Sequence, residues 1–338
     1  MRGRADTSIT RSPDSDTEEL DEVYLHTVTI QGREFHKFSI DNRIAFEPVD
    51  DEEAERLDLQ HRVFFRIFDG RLIFPPIPRL RRGEYRHTQR VAHTEADKFR
   101  VSKVIGLDIS PHKNPDDMPE NLSLQVGGVF QQSRDGGIAA RFGLSGLLES
   151  VRLTSHDQVD DLNRRFTFPS NHFDLVHSSL LATGINRARW PSYLADIRRV
   201  LKPGGWVQLI EIYFNVQSDN GSITEEHALR RWSRQFMRSY EGTKDLRVGT
   251  RLNNLLRGGG FEDIDARMIP LPLSAWSNDT RMQQIGMLNR ENVNSLLPSL
   301  ALYPLTQISG MPQQDFQDLI TQARQEAETA SLKAYFPL

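Results

Sequence analysis

The 338-residue chain carries no cysteine, 38% hydrophobic residues and a formal net charge of -4, a length that suits one large α/β domain with appendages or two modest domains. The missing cysteines exclude a disulfide framework and a thiolate metal site, and they fit a reducing compartment. The near-neutral balance gives no global electrostatic reason to expect nucleic acid or an anionic membrane, and no apolar run approaches a bilayer-spanning length. An intracellular protein, cytoplasmic or nuclear, is expected, with no nucleic acid and no membrane among its partners.

Residues 1–22 are polar and charged and read as a disordered tail. Short alternating runs between Val23 and Ile44, such as His26-Thr-Val-Thr-Ile30, predict one or two strands. A helix follows: Asp50 is placed to cap it, Glu53 sits three residues later, and Leu57, His61, Phe64, Phe65 and Phe68 fall on one apolar face. Asp69-Gly70 ends it, and Pro75, Pro76 and Pro78 impose an extended link. Lys103–Asp108 is a short apolar strand ending in an acid, and Phe173–Val176 is a second such strand. Pro191 suits the first turn of a helix whose apolar face is Tyr193, Leu194, Ile197, Val200 and Leu201. Lys202-Pro-Gly-Gly205 breaks that helix, and Trp206–Glu211 is a third strand. Strands alternating with helices predict a doubly wound, mostly parallel Rossmann-like sheet. Beyond it, Leu252, Leu255 and Leu256 predict a helix stopped by Gly258–Gly260, Phe261–Leu271 a strand, and Phe316, Leu319, Ile320 and Ala323 the face of a last helix.

Such sheets bind ligands beyond the carboxyl ends of their strands. Asp108 stands at one of those ends, where a carboxylate accepts hydrogen bonds from both hydroxyls of a ribose; a cap for the Ile109-Ser-Pro111 turn is the plainer role. Asp160 and Asp161 are candidates to lie near an adenine amine, or plain surface acids. His177 and Ser178 end the Phe173 strand, Glu211 ends the Trp206 strand, and a core histidine with satisfied hydrogen bonds competes with a functional one.

The series Val104-Ile-Gly-Leu-Asp-Ile-Ser110, Asp160-Asp-Leu162, Phe173-Asp-Leu-Val-His-Ser178 and Leu201-Lys-Pro-Gly-Gly-Trp206 resembles the motifs of class I S-adenosylmethionine-dependent methyltransferases. The acidic helix start at Asp50, the proline-rich link and the ending Leu332–Leu338 resemble the fungal LaeA-like methyltransferases of secondary metabolism. The resemblance implies an N-terminal extension and lid helix over 23–78, with His61 near the cofactor, a cofactor-binding core over 79–215, and a C-terminal part over 216–338 with helical additions on the substrate side. It also implies S-adenosylmethionine as cofactor, with Asp108 on the ribose, Asp160 or Asp161 by the adenine, and His177 with Ser178 facing the methionine moiety. His177 is the one candidate base. The acceptor is a small molecule or a pathway or regulatory protein.

Three features depart from that family. Arg79–Arg90, where a strand and glycine-rich turn belong, holds one glycine and five arginines, so weak cofactor binding is expected, and with it a second reading: a catalytically silent accessory or regulatory protein that works by protein binding. Gly127–Gln158 reads as an insertion of the kind a retained intron leaves, a loose excursion outside the core. Finally, the family runs on past Tyr335-Phe-Pro337 into a closing strand.

Overall fold

The computed structural model describes residues 26–71, 73–76 and 162–338, together with the backbone of 104–108, 122–126 and 139–143. The tail at 1–22, the arginine-rich window at 79–95, Asp160 and Asp161 lie outside the described residues.

The chain begins with a hairpin, β1 (Thr27–Ile30) and β2 (Arg33–His36), paired antiparallel. Its two-residue turn, Gln31-Gly32, has positive φ at both positions (50° and 81°), the turn whose twist matches the flanking strands. A short helix, α1 (Lys37–Asp41), leads to α2 (Asp51–Ile67), and Asp50 caps α2 by accepting from the Glu53 amide at 3.0 Å. The buried face of α2 is Glu53, Ala54, Arg56, Leu57, Gln60, Val63, Phe64 and Ile67. His61 and Phe65, expected on that face, stand at its half-buried edge. The face is turned because α2 docks on α6 (Thr280–Tyr303) through a buried Glu53–Arg56 pair that reaches Gln60 and Asn292, a contact no periodicity of apolar residues announces.

The main sheet is five-stranded and parallel: β3 (Val104–Asp108), β4 (Leu122–Val126), β5 (Ala139–Gly143), β6 (Phe173–Ser179) and β7 (Leu201–Ile210), in the order β4-β3-β5-β6-β7. The three strands expected from the sequence thus share one sheet. The expectation for Gly127–Gln158 is overturned: β5 lies inside that stretch and forms the central strand, with Leu107 opposite Phe142 on one side and Phe142 opposite Ser178 on the other. A segment that can be excised from the sequence without breaking a motif is therefore part of the fold, because parallel pairing joins strands that are remote along the chain.

Between β6 and β7 runs α3 (Trp190–Val200), with Pro191 in its first turn and Tyr193, Leu194, Ile197 and Val200 buried as expected. The Lys202–Gly205 turn falls inside β7, where a register shift lets pairing resume at Leu175 opposite Trp206.

Two helices that the sequence patterns did not single out build the C-terminal layer: α4 (Ala228–Ser239) and α6. The amides of Ala228 and Leu229 at the start of α4 are capped not locally but by the Glu326 carboxylate, at 2.9 and 2.8 Å, from α7 (Gln313–Glu328). Between α4 and α6 lies the short α5 (Leu252–Gly258). The strand expected over Phe261–Leu271 shrinks to β9 (Pro270–Pro272), since most of that segment is exposed and, apart from Ile269 opposite Leu338, is paired with no neighbour among the described residues. With β8 (Gln217–Ser218) and β10 (Ala334–Pro337) it forms an antiparallel sheet in the order β8-β10-β9, so Tyr335-Phe-Pro337 is itself the closing strand. Among the described residues no helix is long and apolar enough to cross a membrane.

Candidate active site

Reading the strand order from left to right, the chain leaves β3 toward β4 and leaves β5 toward β6, so connections diverge between β3 and β5. Ligand crevices in open α/β sheets form at such a switch point, outside the carboxyl ends of the strands. Asp108 ends β3 there, and by the register it comes level with Gly143 at the end of β5. Ser178 and Ser179 end the next strand, directly opposite Phe142 and Gly143.

The β6 end is the part described to the side-chain level, and it is built by polar groups in the core. His177 is 4% exposed and pairs across the sheet with Gln208 of β7, whose Nε2 lies 3.0 Å from His177 Nδ1. The Phe74 amide donates to Gln208 Oε1 at 2.8 Å. That bond fixes which end of the amide is oxygen, so Gln208 Nε2 donates and His177 Nδ1 accepts. A neutral His177 then carries its proton on Nε2. Its Nδ1 lone pair is then committed to Gln208, which argues against the base role at that nitrogen.

Ser178 is one residue on and faces the other side of the sheet, as the two-residue period requires. Its Oγ accepts from the Tyr193 hydroxyl of α3 at 2.9 Å. Burial raises the Tyr193 pKa, against the pull of that hydrogen bond, so the phenol stays protonated as the donor. His177 and Ser178 therefore do not present their side chains to one ligand from one face.

Glu211 follows β7 and is almost fully buried. Its carboxylate accepts from the amides of Leu181 at 2.8 Å and Ala182 at 3.2 Å, holding the turn that leaves β6. Burial lifts its pKa to about 8 while the two amides pull the other way. Within that turn Leu180 has a φ of 57°, a left-handed conformation costly for a branched side chain, pinned by its amide on the Ile210 carbonyl at 2.8 Å. Glu211 was visible in the sequence as a strand-end acid. Gln208 and Leu180 were not, since nothing local marks a cross-strand partner or a strained turn. Among the described residues no cluster of His, Cys, Asp or Glu is arranged for a metal ion.

Residues 148–209 match a family described as "Methyltransferase domain". The "Secondary metabolism regulator laeA" of Aspergillus fumisynnematus is 25% identical over 313 residues, spanning 90% of this chain and 73% of that protein. The "Protein-methionine methyltransferase laeA" of Emericella nidulans is 24% identical over 312 residues, spanning 90% of this chain and 72% of that protein. Among solved structures, a phosphoethanolamine N-methyltransferase of Haemonchus contortus bound to S-adenosyl-L-methionine aligns at 16% identity with a TM-score of 0.33; the alignment covers 70% of this chain and 48% of that enzyme. With the parallel α/β sheet, the match to a methyltransferase domain and a likeness to LaeA proteins over nine-tenths of its length, the chain is similar to the LaeA-like S-adenosylmethionine-dependent methyltransferases.

Proposed function

We propose that this chain transfers a methyl group from S-adenosylmethionine in the control of fungal secondary metabolism, acting in the cytoplasm or nucleus on a small-molecule acceptor or a pathway or regulatory protein. The observation that supports the reading is the strand order. Asp108 and the β6 end stand on one edge of the sheet with a single strand between them, a separation of about 10 Å. That span suits a ligand joining a ribose to an amino-acid tail.

S-adenosylmethionine, when bound, supplies a methyl group on a sulfonium, which already carries an excellent leaving group. The protein's work is then to position, to exclude water and to relieve an acceptor of its proton where it has one to lose. Asp108 takes the ribose hydroxyls. Gly143, level with it, offers a side-chain-free backbone for close approach, the property that the 79–95 window lacks. His177 ties β6 to β7 through Gln208, Ser178 braces the β6 end against α3, and Glu211 holds the turn beyond it. In this reading residues 79–215 form the cofactor core, 23–78 the lid, and 216–338 the acceptor side.

Isothermal titration of the full chain with S-adenosylmethionine tests the proposal. Micromolar binding is expected, weakened about tenfold or more in Asp108→Ala through loss of charge-assisted hydrogen bonds, and weakened also in Gly143→Val. A folded chain that takes up no cofactor overturns the enzyme reading. It would favour the accessory protein that the arginines at 79, 81, 82, 86 and 90 suggest.

A further inference from the structure

Beyond the β6 end the chain carries a second polar cluster that the cofactor site does not use. Glu47, just before α2, is hydrogen-bonded to Thr183 in the turn after β6 and accepts from the Phe46 amide at 3.1 Å. Burial is the main influence on its carboxyl and raises its pKa, yet no cation pairs with it among the described residues. Tyr240, at the end of α4, is 1% exposed and feels the charge of Glu47; its hydroxyl has no hydrogen-bond partner among the described residues. Aromatic rings wall the cluster. Phe46 lies 5.7 Å from Tyr240 and stacks at 5.1 Å on Tyr303, which is half-buried.

Glu47 is half-buried and has no cation among the described residues, while the fully buried Tyr240 hydroxyl has no partner among them, and such a hydroxyl is costly to leave dry. Aromatic faces around an acid are the surroundings that favour an organic cation, which gains from the ring quadrupoles as well as from the carboxylate. The position fits a role beside the cofactor, since Thr183 lies four residues past the end of β6, in the turn that Glu211 holds.

We propose that Glu47, Thr183 and Tyr240 form a recognition site for the methyl acceptor, and that the acceptor carries a protonated amine that binds between Glu47 and the rings of Phe46, Tyr240 and Tyr303. The amine is the handle by which the acceptor is held. Its role as acceptor rests on the function proposed above, while the binding itself does not.

The test is titration of n-butylammonium chloride into the full chain without cofactor, followed by saturation-transfer NMR, with n-butanol and butyrate as neutral and anionic counterparts. The ammonium is expected to bind about tenfold more tightly than either. Glu47→Gln should abolish that preference, Tyr240→Phe should weaken it severalfold, and the exposed-site control Glu225→Gln should leave it unchanged. Equal binding of butyrate, or an ammonium preference that survives Glu47→Gln, overturns the proposal. If circular dichroism shows Glu47→Gln to be unfolded, Tyr240→Phe decides, since it keeps the ring and removes only the unpartnered hydroxyl. Because the readout needs no S-adenosylmethionine, ammonium binding in a chain that fails to bind cofactor sinks the enzyme reading and leaves this site standing. The reverse result sinks the site alone.

Discussion

Helix α6 joins two regions held together by different physics. Toward α4 and β10 the interior is aromatic: Trp232 stacks on Phe236 at 5.0 Å, Phe214 meets both edge-on, and Phe336 closes the group. Toward α2 the seam is polar. Arg56 forks onto Glu53, reaches Gln60 at 2.8 Å and Asn292 at 3.3 Å, and Asn292 donates to Asn289 at 2.9 Å. Apolar burial is tolerant of small shifts and supplies most of the stability. A buried ion pair gives back much of its attraction in desolvation, but it allows one docking geometry and penalises others. The difference teaches that the aromatic side keeps the molecule folded, while the polar seam sets how α2 docks on α6.

The largest effect should come from the aromatic side. Trp232→Ala removes a fully buried indole together with the hydrogen bond that its Nε1 donates to the Leu297 carbonyl at 3.0 Å; a loss of about 4–5 kcal/mol in urea unfolding is expected. Arg56→Ala should cost about 3–4 kcal/mol by leaving Glu53 buried and unpaired, whereas the double change Glu53→Leu with Arg56→Met should come within about 1 kcal/mol of the parent. If the double variant is as unstable as the single one, the seam is a source of stability and the contrast fails.

A smaller effect is expected at Asp50, which caps α2 and binds Arg33 at 2.6 and 2.7 Å. Burial opposes its charge, but the Arg33 hydrogen bonds and charge together with the Glu53 amide outweigh it and hold the pKa below its ordinary value of 3.8. A depressed pKa means stabilisation that is present above 3.8 and lost as pH falls through the lower folded value. Asp50→Ala should therefore cost about 1–2 kcal/mol near neutrality, and the gap between the two unfolding curves should close on acidification below pH 3.8. A gap unchanged at low pH would mean that Asp50 acts through packing alone. The smallest effect belongs to the exposed Lys37–Asp41 pair, where Lys37→Ala should change stability by less than about 0.5 kcal/mol.

What was legible in advance was local. The Asp50 cap, the buried face of α3, the strands ending at Asp108 and leading to Glu211, and the α7 face were all carried by residues a few positions apart, where spacing translates directly into geometry. What escaped depended on distant partners. α4 is capped by Glu326, nearly a hundred residues along the chain, and the buried face of α2 turned toward charges that meet Asn292.

The sequence by itself determined the class of the protein: an alternating strand–helix chain with an acid ending the β3 strand, a strand-end histidine and the Lys-Pro-Gly-Gly turn. Only the tertiary structure decided that β5 fills the slot between β3 and β6, that His177 gives its lone pair to Gln208 and Ser178 accepts from Tyr193, and that Phe46 packs against Tyr240. The reason is the range of the forces involved. Capping and amphipathic spacing act within a turn or two of chain, while parallel pairing and the satisfaction of buried polar groups depend on which remote segments folding brings side by side.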